Sequence, residues 1–180
     1  RYKAYIVELF AHNSEPNGAA AAQRIFALES KLAAAQWSKV DNRDADKVYN
    51  KYTRAELVAL LSNLDLGQYL ADIGAAELDY AIVSQPSYME EFNRLFEQTD
   101  VATWKDYLRL QLISSFAPYL SKKYVDSHFE FYGKTLSGRQ EQQSRWRKAT
   151  TSINRNLGEL LGKLYVEKHF PESSKARMVE

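Results

Sequence analysis

Apolar residues recur every three or four positions along most of the chain, the spacing of helices that bury one face. Tyr2, Tyr5, Ile6, Leu9 and Phe10 make the first stripe, already in progress at Arg1 with no capping residue before it. Asn13, Ser14, Pro16, Asn17 and Gly18 interrupt it as a loop. Ala21, Ile25, Leu28, Leu32 and Ala35 then predict a second helix from Ala19 to Trp37. After a polar connection at Asp41–Asp46, Thr53-Arg54-Ala55-Glu56 is a capping box: hydroxyl and carboxylate each satisfy an exposed backbone N–H. The helix it opens buries Leu57, Leu60, Leu61 and Leu64, and a short amphipathic piece with Tyr69, Leu70 and Ile73 ends at Gly74.

Tyr80-Ala81-Ile82-Val83 is the one strand signal, bounded by Asp79 and Gln85-Pro86. A lone strand cannot satisfy its own backbone, so it pairs, with a partner inside or outside this chain, or stays extended coil. Ser87-Tyr88-Met89-Glu90 reads as a second capping box, with Tyr88, Phe92, Leu95 and Phe96 facing inward. Asp100 caps a helix from Val101 towards Leu120 that is apolar on two faces, Trp104/Leu108/Leu112 and Leu110/Ile113/Ala117. Such a helix is expected to be central and mostly buried, with Pro118 kinking or breaking it. Val125, Phe129 and Tyr132 mark a further helix before Gly133.

Ser137-Gly138-Arg139-Gln140, a third capping box, introduces a predicted helix from Arg139 to Lys168. At roughly 1.5 Å per residue it would cross a whole domain. Trp146, Leu157, Leu164 and Tyr165 are its expected core residues, and Gly158 and Gly162 offer a flat surface for close packing. After Pro171, Lys175-Ala176-Arg177-Met178-Val179-Glu180 begins another helix. The pattern gives a mainly α fold: a single multi-helix domain over 1–180, with one long C-terminal helix and at most one short strand near Tyr80–Val83.

Composition narrows the function. The 180 residues carry 24 Lys+Arg against 23 Asp+Glu, a formal charge of +1, so no global field selects a polyanion. Arg139, Arg145, Trp146, Arg147 and Lys148 interleave charge and aromatic, but Trp146 falls on the apolar stripe, so nucleic acid is not an expected partner. With no cysteine, disulfides and thiolate chemistry are excluded. No run is long and apolar enough to suggest membrane contact.

Candidate chemistry is sparse. His12, His128 and His169 are scattered, and none belongs to the His-Glu-x-x-His pair that sets two imidazoles on one helix face. No catalytic or metal residue is therefore assigned. Asp41, Asp44 and Asp46 crowd a loop, but Arg43 breaks the oxygen-donor alternation of a calcium loop. The segment Arg43, Asp44, Tyr49, Asn50 and Thr53 reads as a structural tie and cap: Arg43 and Asn50 to neighbouring carbonyls, Thr53 to the next helix. A substrate-facing role for it is the alternative.

Three blocks carry a resemblance: Phe131-Tyr132-Gly133-Lys134-Thr135-Leu136-Ser137-Gly138, Arg145-Trp146-Arg147, and Gly162-Lys163-Leu164-Tyr165-Val166-Glu167. With Arg43, Asp44, Tyr49, Asn50 and Thr53 in the same order, the chain resembles the neprilysin and endothelin-converting-enzyme family of zinc metallopeptidases, in its bacterial oligopeptidase form. The resemblance implies a fragment of the N-terminal, non-catalytic helical lobe, which encloses the active-site cavity and limits substrate size. It places zinc and the catalytic groups in the parent protein, downstream of Glu180, so this piece is expected to be inactive alone. The implied partners are the catalytic lobe of the same chain and short peptide substrates, and the implied location is periplasmic or extracellular. A stand-alone helical interaction module without catalysis is the competing reading.

Overall fold

A computed structural model describes residues 1–179. The chain divides into two compact units, Arg1–Phe131 and the segment from Tyr132 onward, where the sequence pattern suggested one domain. Ten α-helices lie among the described residues, with one small sheet, so the fold is mainly α.

In the first unit, α1 (Tyr2–His12) and α2 (Gly18–Ala35) form an antiparallel pair: Tyr2 Oη donates to Glu29 Oε1 at 2.9 Å near one end, and Phe10 meets Gly18 at the other. Helix α6 (Val101–Phe116) packs on both. Ile6, Leu9, Phe10, Ile25 and Leu110 are almost fully buried here, each worth about 1.5–3 kcal/mol of transfer free energy. A second cluster joins Leu28 and Leu32 of α2 to Leu95 of α5 (Pro86–Gln98). Phe92, Trp104 and Tyr107 cover it edge to face, with ring centroids about 6 Å apart. Asp106, nearly buried, holds the layers in place electrostatically: it binds Arg24 of α2 directly and lies 3.6 Å from Arg109, which reaches Glu15 at 3.4 Å.

Helix α6 corrects the two-faced reading. Leu110, Ile113 and Ala117 are buried, but Leu108 and Leu112 are 63% and 62% exposed, because no element of the first unit packs on that side. The helix ends at Phe116, and Pro118 sits in a 3-10 turn at Ala117–Tyr119, which needs no donor from it. After α7 (Lys122–His128) the chain continues as a π-helix over Phe129–Leu136, and Phe131 stacks on Tyr2 and Tyr5 at 5.3 and 5.0 Å.

The sheet also departs from expectation. Strand β2 (Tyr80–Val83) pairs antiparallel with β1 (Asn50–Thr53), so a second strand exists inside the chain. Between them lie α3 (Arg54–Leu60) and α4 (Leu66–Asp72). Helix α4 ends in a Schellman motif: Ala75 N–H donates to Leu70 O, Gly74 N–H donates to Ala71 O, and Gly74 takes φ +76°. The Ser87 capping box does not form. Pro86 begins α5 instead, since its fixed φ and missing N–H suit the first helical position.

In the second unit the long helix is two helices. Ser137 does not cap; its hydroxyl donates to Tyr132 O, and Gly138 turns the chain at φ +66°. Helix α8 runs Arg145–Asn156 and α9 runs Gly158–His169, separated at Leu157 (φ −129°, ψ 28°). Thr150, Thr151, Ser152, Asn154, Asn156 and Gly158 all have low helix propensity, and Asn156 Nδ2 donates to Ser152 O. The expected core residues Trp146, Leu157, Leu164 and Tyr165 are exposed, at 65%, 51%, 64% and 62%. Within the second unit their stripe has no apolar layer against it. Helix α10 spans Glu172–Val179.

Candidate functional site

An apolar depression lies beside the hairpin of the first unit, and the segment before the hairpin is held by its own hydrogen bonds. Trp37 N–H donates to Gln85 Oε1 at 2.8 Å and its indole N–H to Ser87 Oγ at 2.7 Å, pinning the entry of this segment to α5. Asp41 accepts from Lys47 Nζ at 2.8 Å and from the Ser38 hydroxyl, and these bonds, Lys47 first, hold its carboxyl below the usual range. Asp44 Oδ1 accepts from the N–H groups of Asp46 and Lys47, an Asx turn.

Asn50 then fixes the strand. Its Nδ2 donates to Lys47 O at 2.6 Å and across the sheet to Val83 O at 3.1 Å. Thr53 ends the strand and caps α3: Glu56 N–H donates to Thr53 Oγ1 at 3.3 Å, and Thr53 N–H to Glu56 Oε2 at 2.7 Å. The backbone bond from Thr53, then its hydroxyl, keeps the Glu56 carboxyl below the ordinary glutamate range. Two residues of the expected tie behave otherwise. The Arg43 guanidinium reaches no carbonyl among the described residues, and Tyr49 is 66% exposed, because the local Asp and Asn side chains already satisfy the loop backbone.

Beneath the hairpin, Leu57 of α3, Leu61 just after it, Leu66 and Leu70 of α4, Leu78, and Met89 of α5 line an open apolar cavity of about 370 Å³. Ala81, Ile82 and Val83 form its wall, with Ser84, Gln85 and Tyr88 at the polar side. Sequence reading missed this site, since its residues span four elements and each looks like ordinary core. A cavity of this size suits a side chain or small apolar group, and its lining has no carboxylate, imidazole or amine to activate the Ser84 or Tyr88 hydroxyl.

One other constellation has catalytic residue types. Ser127, 4% exposed, donates to Glu8 Oε1 at 2.7 Å and lies 2.9 Å from His12 Nε2. A nucleophilic serine must give its proton to the imidazole. Here the hydroxyl proton goes to Glu8 or to Lys123 O, so Nε2 is the donor, and the three residues tie α1 to α7. Tyr124 Oη reinforces that tie by donating to His12 O at 3.0 Å.

Metal chemistry finds no donor set. Among the described residues no three His, Asp or Glu side chains converge on a point. His12 is committed to Ser127 and His169 lies against the Tyr165 ring. The described residues therefore do not fit a zinc ion.

A sequence profile described as peptidase family M13 matches residues 1–180. Neprilysin-2 of Drosophila melanogaster is 28% identical over 198 aligned residues, covering 100% of this chain and 25% of that protein. Neutral endopeptidase of Lactobacillus helveticus is 26% identical over 85% of this chain and 24% of its own length. The zinc metalloprotease Zmp1 of Mycobacterium tuberculosis, in its open state, superposes with a TM-score of 0.91 at 36% identity, over 98% of this chain and 28% of that one. The chain thus spans about a quarter of the length of the relatives it matches. A family profile matched over residues 1–180, together with a helical fold that superposes over 98% of the chain, makes this chain a member of peptidase family M13.

Proposed function

We propose that the chain is the helical, non-catalytic lobe of a zinc metalloendopeptidase, walling off the cavity in which short peptides are cleaved and so limiting substrate size. One observation carries the reading: the family match runs over residues 1–180, while no metal-donor group forms among the described residues. Zinc and the catalytic groups then belong to another lobe of the same polypeptide, which is also this lobe's principal partner. The exposed apolar faces at Leu108 and Leu112, and at Trp146, Leu164 and Tyr165, support that partnership, since surfaces of this kind are normally covered. The parent is read as a bacterial enzyme acting in the periplasm or outside the cell. No described helix is long and apolar enough to cross a membrane.

The test is an assay of the chain and of the full polypeptide, each with zinc, on quenched peptides of increasing length and on a folded protein. Turnover is expected only from the full polypeptide, and only on the short peptides. Zinc-dependent cleavage by the chain alone, or equal cleavage of peptide and folded protein by the whole, overturns the reading.

A further inference from the structure

The two-stranded sheet has two edges, and they differ. Arg54 N–H donates to Asp79 O at 2.9 Å, which sets the hydrogen-bonded pairs of the ladder at Tyr52–Ala81 and Asn50–Val83. The N–H and C=O groups of Tyr80 and Ile82 therefore point away from β1, along a free edge. On the opposite edge, Thr53 N–H is already taken by Glu56. Only the β2 edge presents an uninterrupted donor and acceptor pattern, and it borders the apolar cavity.

Side chains alternate between sheet faces. Ala81 and Val83 point to the cavity side, and Tyr80 and Ile82 to the other, where both are exposed. On that outer face Lys51 Nζ stands 4.0 Å from the centroid of the Tyr80 ring and has no carboxylate partner among the described residues. A third strand laid along β2 would place every second side chain over the cavity mouth and the intervening one on the face that carries Lys51.

We propose that the β2 edge and its cavity bind a free peptide in extended form, with a large apolar residue in the cavity and an acidic residue on the Lys51 face. The backbone groups of Tyr80 and Ile82 supply sequence-independent bonds, as in other strand additions. Leu57, Leu61, Leu70 and Met89 select the apolar side chain, and the Lys51 ammonium, held over the Tyr80 ring, selects the neighbouring charge. The ligand class rests on the peptide-handling reading above, but the surface binds without cleaving.

The probe is a dye-labelled, acetylated and amidated peptide, Ser-Leu-Glu-Leu-Ser, followed by anisotropy with the 180-residue chain and with the full polypeptide. Binding is expected to both, with slowed amide exchange at Ile82 and none at Lys51. Lys51→Glu is expected to weaken binding roughly two- to fivefold, the size of an exposed charge pair, and Ser-Leu-Lys-Leu-Ser to recover it. Ile82→Pro removes the outward N–H without touching a ladder bond to β1, and is expected to abolish binding where Ile82→Ala, which keeps that N–H, does not; if the proline variant does not fold, the exchange readout on the unsubstituted chain decides. No binding at about 1 mM peptide, no protection at Ile82, or indifference to the charge swap overturns the proposal. Binding to the chain but not to the full polypeptide also overturns it, since another segment then fills the edge. If peptide binds but the full polypeptide has no peptidase activity, the proposed function fails while this surface stands.

Discussion

Replacing Gly18 with alanine sets two effects of similar size against each other. Gly18 opens α2, where an alanine gains up to about 1 kcal/mol in helix propensity and unfolded-chain entropy. Its Cβ, however, would sit 3.1 Å from Phe10 Cβ and 3.3 Å from the Val7 carbonyl oxygen, well inside the ordinary carbon contact distance of about 3.5–4.0 Å. Neither neighbour can yield cheaply. Phe10 is 1% exposed within the main core, and Val7 O belongs to the backbone of α1. Overpacking of this kind costs about 1–3 kcal/mol, so the net change is a loss of about 1 kcal/mol. For a unit of this size that lowers the melting midpoint by about 3–6 °C. Gly162→Ala is the internal comparison: it lies inside α9 with nothing within 4 Å of the added carbon, so the isolated chain should gain up to about 1 kcal/mol. Urea and thermal unfolding followed by circular dichroism measure both. A Gly18→Ala midpoint at or above that of the parent chain would refute the close approach of α1 and α2. In the full polypeptide Gly162→Ala also reports on coverage of α9, because a stabilising effect that turns into a loss there marks a closely packed neighbour.

Three further outcomes follow from the charge and hydrogen-bond arrangement. Burial, opposed by the bond from Tyr2, raises the Glu29 carboxyl above its usual value, so its contribution is favourable at low pH and is lost as pH rises through the folded value. Glu29→Gln should therefore match the parent near pH 4 and exceed it at pH 7 in urea midpoint; a parallel displacement at both pH values would refute this. Asp106→Asn keeps the shape but removes the charge facing Arg24 and Arg109. The cost should be about 1–3 kcal/mol, less than for a fully buried pair because the two arginines are 39% and 41% exposed. Asn50→Ala strips donors from Lys47 O and Val83 O and should lower stability by about 1–2 kcal/mol, with faster amide exchange in β1 and β2. An unchanged exchange pattern would show that the ladder alone holds the hairpin.

Local chemistry was legible in the chain before any fold was known. The helices of the first unit followed from period and capping, because their hydrogen bonds close within four residues; Thr53 with Glu56 and Asp100 with Thr103 formed caps where the residue types required them. The strand at Tyr80–Val83 was also legible, and the motif order pointed to the family. Partnership was not. Asn50-Lys51-Tyr52-Thr53 reads as polar loop and becomes a strand only because β2 lies beside it. The apolar stripes of α6 and of α8 and α9 predicted burial, yet a stripe states that a face needs cover and cannot state what supplies it. The break at Leu157 depended on weak propensities that a packed neighbour could have overridden. The cavity draws its walls from Leu57 to Met89, across separations that no local pattern spans. Period and caps are set by bonds between near neighbours in the chain; which faces meet, and what space is left between them, is set by contacts between distant ones.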